Sequence, residues 1–167
     1  MQKVHHLPNK WRDVVFGSIV LLVVIADQLS KWWIKTNLAV GQSLFDAGFF
    51  QIIRVQNTGV AFGLLKHHTS AIIVVVFIEI VVILLIVFFL RNRLSFLDSM
   101  LMRSGMGLVM GGAIGNQIDR LRLGYVTDFI DFKVWPAFNA ADSSAVVGSI
   151  IIAFCIIFLV KSAGHQG

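Results

Sequence analysis

The stretch T-S-A-I-I-V-V-V-F-I-E-I-V-V-I-L-L-I-V-F-F-L, residues Thr69–Leu90, decides the class of this protein. A bilayer core roughly 30 Å thick takes about 20 apolar residues of helix. This run supplies them with one charged residue, Glu79. Working outward, three more stretches qualify, at about residues 14–34, 100–118 and 144–160. The second and fourth spans read as simple lipid-facing helices. The first carries Asp27 and Lys31 and the third is crowded with glycine, so both are expected to face protein.

Composition agrees. Of 167 residues, 57% are hydrophobic and 14% charged, where a soluble domain carries about 25% charged residues. One cysteine, Cys155, excludes a disulfide scaffold, and in mid-span it reads as an inert core thiol. The net charge of +5 comes from scattered Lys and Arg with no dense basic run, so no nucleic-acid partner is expected. Basic residues in such a chain set topology and meet lipid headgroups.

The basic start and apolar middle of the first span fit a signal peptide. Asp27, Lys31 and the Trp32–Trp33 pair occupy the place of a small-residue cleavage site, so the span is expected to be a retained helix. Lys3, Lys10, Arg12, Arg91, Arg93, Arg103 and Lys161 collect on one side. Lys35, Arg54, Lys66, Arg120, Arg122 and Lys133 lie on the other, spread over more residues. That bias puts both termini in the cytoplasm, with the connections 35–68 and 119–143 outside. Gly41 and Asp46–Gly48 mark turns in the first connection, and the alternation from Phe49 to Asn57 reads as a strand. The expected fold is an all-α membrane protein of four transmembrane helices with a small β-structured extracytoplasmic platform. All of residues 1–167 form one domain.

Candidate chemistry narrows to carboxylates. There is no G-x-S-x-G and no H-E-x-x-H or cysteine cluster, and His5, His6, His67, His68 and His165 lie at ends or in loops, so no metal is expected. Asp27 and Lys31, four apart on a helix, can pair structurally. In the third span Gly107, Gly111 and Gly115 form a ribbon that lets another helix approach closely. Gly112, Asn116 and Arg120 run alongside it, with Asp119 adjacent. Asp119 reads as a cap for Arg120 or a loop amide, and Arg120 can alternatively hold a peptide carbonyl. Asp128 alone would be a loop acid and Asp142 alone a helix N-cap. Flanking one short connection, they can meet. Two close carboxylates share a proton, one serving as base toward water and the other polarising a scissile carbonyl. That chemistry needs no cofactor.

Five blocks occur in order: D-Q-L-S-K (Asp27–Lys31), N-T-G-V-A-F (Asn57–Phe62), G-N-Q-I-D-R (Gly115–Arg120), V-T-D-F-I (Val126–Ile130) and F-N-A-A-D (Phe138–Asp142). Together, over about residues 14–160, they resemble the lipoprotein signal peptidase family, signal peptidase II. The resemblance implies a four-helix protein of the bacterial inner membrane with its active site near the outer surface. It implies cleavage of a prolipoprotein signal peptide just before the diacylglyceryl-modified cysteine, and inhibition by globomycin-like cyclic peptides. The catalytic pair matches Asp128 and Asp142, with Asp131 outside the motif position. Asn57, Asn116, Arg120 and Asn139 match residues that support the pair or hold substrate. Gly59 joins them by supplying a positive φ or a close backbone approach. Asp27, Lys31 and Asp119 match positions of structural role. Glu79 matches no block; it is expected to be a neutral structural group facing protein. It also motivates the alternative of a small four-helix transporter, because an acid at bilayer depth is a functional candidate. A purely structural membrane subunit would leave the carboxylate pair unexplained.

Overall fold

A computed structural model describes residues 9–59, 69–90, 97 and 99–164. The helices are α1 (Asn9–Asn37), α2 (Thr69–Leu85, continued by a π-helical turn Ile86–Leu90), α3 (Met100–Leu123) and α4 (Ala140–Gly164). Strands β1 (Ser43–Asp46), β2 (Gln51–Asn57) and β3 (Val126–Asp131) form one antiparallel sheet in the order β1-β2-β3. All five histidines, Lys3, Lys66, Arg91 and Arg93 lie outside the described residues.

Three described helices are long and apolar enough to cross a membrane: Lys10–Asn37, Thr69–Phe89 and Ala140–Phe158. The fourth, α3, has 24 residues, about 36 Å at 1.5 Å per residue. Glycine and polar groups lower its hydropathy for a reason visible in the packing, since α1, α2 and α4 all pack against it. A Cβ on Gly107 would meet Ile19, one on Gly111 would lie 2.7 Å from Val23 Cβ, and one on Gly115 would lie 2.6 Å from Asp27 Oδ2. The glycine ribbon therefore seats α1, residue by residue every four, as its spacing predicts.

α1 only half fits the expectation that it faces protein. Its seam lies on α3, while Leu21, Leu22, Ile25 and Leu29 are exposed on its other side. The larger correction concerns Glu79. Ile72, Val76, Ile80, Ile83 and Val87 form the inward stripe of α2, with Ile72, Ile83 and Val87 buried. Glu79 falls on the flank of that stripe and is exposed. It does not face protein.

Two clusters hold the ends of the bundle. Phe16, Ile83, Val87, Met102, Met106 and Met110 form one, with Cys155 packed against it. At the other end Ile34, Leu38 and Phe129 bring α1 and the sheet together. Arg54 on β2 donates through Nη1 to the carbonyls of Lys35 (3.1 Å) and Leu38 (2.8 Å), satisfying acceptors that the end of α1 leaves open. The strand expected within 49–57 is β2, and the turns at Gly41 and Gly48 both have positive φ. The connection 119–143 is more regular than its sequence suggests. α3 continues to Leu123, Gly124 in the left-handed region (φ 77°) turns the chain, and β3 follows at once. This short path places β3 beside both helices it joins.

Candidate active site

β3 carries Asp128 and pairs with β2 so that Val55 lies opposite Asp128 and Asn57 opposite Val126. Asn57 and Asp128 are thus diagonal neighbours on one face of the sheet, within reach of each other. Asn57 Nδ2 donates to Asp128 Oδ2 at 3.0 Å. The Asn57 oxygen accepts from the Gly59 N–H (2.9 Å), and the Gly59 carbonyl accepts from Arg120 Nη2 (3.3 Å). Asn57, Gly59 and Arg120 form one connected set. The carbonyl that Arg120 holds belongs to its own chain.

Asp142 is not the N-cap of α4. Asn139 is: its Oδ1 accepts from the Asp142 N–H (3.0 Å), while Asp142 Oδ2 accepts from the Asn139 N–H (3.2 Å). This reciprocal arrangement is a capping box, readable in N-A-A-D, and it moves the start of the helix from about residue 144 to Ala140. Asn139 does more than cap. Its Nδ2 donates to Asp128 Oδ1 at 2.7 Å. One residue therefore bonds both acids, from its backbone and from its side chain, and the connection between β3 and α4 does bring the two together.

Asn116 on α3 donates to Asp142 Oδ1 at 2.7 Å, and its own oxygen accepts from Asn139 Nδ2 at 3.1 Å. Behind this layer, Lys31 and Asp27 form an ion pair of 2.8 Å, both 0% exposed. Asp27 Oδ1 accepts from the Ala141 N–H (3.0 Å), and Asp119 Oδ2 accepts from the Thr127 N–H (3.0 Å). The second option for Asp119, a backbone amide, is the one observed. These acids tie α1, α3, α4 and β3 together at the base of the site.

A cavity of about 630 Å³ stands in front of the acids. Asp128, Asp142, Asn57, Asn116 and Arg120 supply its polar wall. Trp135, Phe138, Val146 and Val147 are among the apolar residues opposite. The segment Trp135–Ala137, ahead of the Phe138–Asp142 block, gave no signal as a site in the sequence. It is fixed where Phe138 exchanges backbone hydrogen bonds with Ile130 at 2.9 Å in both directions. Asp131, three residues beyond Asp128, is bonded by Gln51 Nε2 at 2.6 Å and does not line the cavity.

Burial, and after it the charge of Asp142, push the Asp128 carboxyl from the ordinary 3.8 up to about 7. The bonds from Asn57 and Asn139 and the charge of Lys31 oppose that rise. A raised pKa on one member is what burial beside a second carboxylate produces.

Fold and cavity together define a multi-pass membrane protein with a compact acid-lined site where its sheet meets its bundle. A family profile described as Signal peptidase (SPase) II matches residues 19–158. A lipoprotein signal peptidase of Dehalococcoides mccartyi strain 195 is 44% identical over 156 residues, covering 93% of this chain and 94% of that protein. One from Moorella thermoacetica is 43% identical, covering 91% and 97%. A solved structure described as a bacterial membrane enzyme superposes with a TM-score of 0.77 at 31% identity, covering 91% of each chain. The chain belongs to the signal peptidase II family, and is a membrane protease by that membership. The transporter alternative finds no support, and Glu79, which motivated it, is not among the residues lining the cavity.

Proposed function

We propose that this chain removes signal peptides from bacterial prolipoproteins, cutting just before the diacylglyceryl-modified cysteine, with Asp128 and Asp142 as its catalytic pair. The single observation that carries the reading is the bridging of both acids by Asn139 on the wall of one cavity. Family membership supplies the substrate class.

Asp142, as carboxylate, takes a proton from a water in the cavity. The resulting hydroxide attacks the scissile carbonyl carbon. Asp128, which holds the proton of the pair, gives it to the carbonyl oxygen, so no free oxyanion builds up. On collapse, Asp142 passes the proton it gained to the leaving amine, and Asp128 recovers one from the hydroxyl. One C–N bond breaks, one water is consumed, and the pair returns to its starting state. Asn57, Asn116 and Asn139 hold the carboxylates in place, and Arg120 faces both acids with its charge. Gly59 contributes a close backbone approach: its N–H and carbonyl link Asn57 to Arg120.

The apolar wall formed by Val146 and Val147 is the side on which the acyl chains would lie, since both are exposed on a membrane-spanning helix. The positive-inside bias favours a single domain in the cytoplasmic membrane, with both termini inside and the sheet and cavity outside. Globomycin-like cyclic peptides would compete for the same cavity. Purified protein in detergent is expected to cleave a diacylated prolipoprotein without an ion gradient, and to leave the unmodified preprotein intact. Equal cleavage of both would refute the lipid requirement, and cleavage of neither would refute the function.

A further inference from the structure

Lys31 does not line the cavity, yet its ammonium reaches the site through one residue. Nζ lies 2.8 Å from Asp27 Oδ2 and 3.6 Å from Asp119 Oδ2, and it donates to Asn116 Oδ1 at 2.8 Å. Charge balance explains the first two contacts. The third has a separate consequence.

An asparagine amide has an acceptor end and a donor end, and an ammonium can only donate. Lys31 therefore fixes which end of Asn116 turns inward. With Oδ1 held by Lys31, Nδ2 must point the other way, where it donates to Asp142 Oδ1 at 2.7 Å. The same Oδ1 accepts one hydrogen of Asn139 Nδ2, the nitrogen that also donates to Asp128 Oδ1. A flipped Asn116 would present its oxygen to the Asp142 carboxylate and a donor to the donor of Asn139. The Asp142 carboxylate, which can only accept, favours the same orientation from the donor end; Lys31 secures the acceptor end, which Asn139 alone could not, because a side-chain amide can flip to suit a neighbouring amide but not an ammonium.

We propose that Lys31, on the two-aspartate reading above, is a positioning residue for the reaction: by orienting the Asn116 amide, it keeps an N–H donor on Asp142 and sets the Asn139 amide toward Asp128. It is fully buried. The charged groups around the acid pair and Arg120 come from three elements. β3 contributes Asp128, α3 contributes Arg120 and Asp119, and α1 contributes Lys31 with its partner Asp27.

A purely structural ion pair and a positioning residue differ in how their loss combines with loss of Asn116. Removing Lys31 alone would strand Asp27, so both charges go together as Asp27→Asn/Lys31→Met. Turnover of a diacylated prolipoprotein is measured for wild type, Asn116→Ala, the Asp27/Lys31 variant and the combination of all three. A wild-type protein that does not cleave counts against the proposed function and leaves no reaction for Lys31 to position. Given cleavage, Asn116→Ala and the Asp27/Lys31 variant are each expected to lose about 10- to 100-fold in kcat, the scale of a hydrogen bond to a charged group. KM should stay within about threefold in both if the loss falls on the dyad. The combination should be no slower than the slower parent, because groups acting through one another are not additive. Losses that multiply, or an unchanged kcat in the Asp27/Lys31 variant, would overturn the proposal. If that variant does not fold, Lys31→Arg replaces it, since it keeps both a charge for Asp27 and a donor for Asn116. It should retain kcat within about tenfold, and a folded, inactive Lys31→Arg protein would equally overturn the proposal.

Discussion

Asn57→Ala is the most informative perturbation of the acid pair, because it touches one acid and spares the bonds of the other. Asn57 Nδ2 donates to Asp128 Oδ2 at 3.0 Å, a bond that favours the ionised carboxylate and holds its pKa down. A hydrogen bond to a charged group is worth about 1.5–3 kcal/mol and one to a neutral group about 0.5–1.5 kcal/mol. The difference, about 1–1.5 kcal/mol, corresponds to roughly one pKa unit. The sign follows from which form works. In the proposed mechanism Asp128 acts while protonated, and burial places its pKa at about 7, so kcat/KM should fall as pH rises through that value. Without Asn57 the carboxyl holds its proton more tightly, and the descending limb should move to about 8. The assay is cleavage of a diacylated prolipoprotein at low substrate across pH 5–9, fitted for the limb. A limb that stays in place, or moves toward acid, would refute the assignment of the shared proton to Asp128.

Other outcomes follow from particular contacts. Glu79→Gln should keep most peptidase activity, because Glu79 is exposed on α2 and does not line the cavity; near-complete loss in a folded protein would reopen a role for it. Gly111→Val should lower the thermal midpoint without altering the pH profile, since a side chain there would lie 2.7 Å from Val23 Cβ and such overpacking costs about 1–3 kcal/mol. Gly59→Val should reduce turnover, because Gly59 is buried and bonds both Asn57 and Arg120; unchanged kinetics would show that segment to be mere connection. Single cysteines at Gln42 and Lys133 should react with an impermeant thiol reagent added from outside intact cells, and one at Trp11 should not. The reverse pattern would invert the topology.

The membrane class was legible because an apolar run of span length suits a bilayer and little else, and the glycine ribbon was legible because period-four glycine has a direct packing meaning. Which way Glu79 points was not. A nearly all-apolar helix has no polar face to show which side meets protein, and the inward side of α2 is chosen by its neighbours rather than by its own pattern. β3 was hidden for a related reason: V-T-D-F-I-D alternates only loosely, since both of its faces meet polar and apolar partners around Asp119, Asp128 and Phe129. Asp128 and Asp142 stand out by their motif blocks, whereas the bridge between them does not. Asn139 and Asp142 spell a capping box, and taking Asp142 as the cap concealed that Asn139 is the residue binding both acids. The role of Lys31 toward Asn116 had no sequence signal at all, because the two are separated by 85 positions and meet only through packing.

The most direct test of the acid pair is single-turnover cleavage of a diacylated prolipoprotein by Asp128→Asn, Asp142→Asn and Asp131→Asn proteins, each matched to wild type in folded amount. General acid–base steps are worth about 10²–10⁴-fold each, and in the proposed mechanism both acids also position the water. The first two variants should therefore lose at least that factor, while Asp131→Asn, whose carboxyl is bonded to Gln51 away from the cavity, should remain within about tenfold of wild type. An active Asp128→Asn or Asp142→Asn protein, or an inactive but folded Asp131→Asn, would contradict the account.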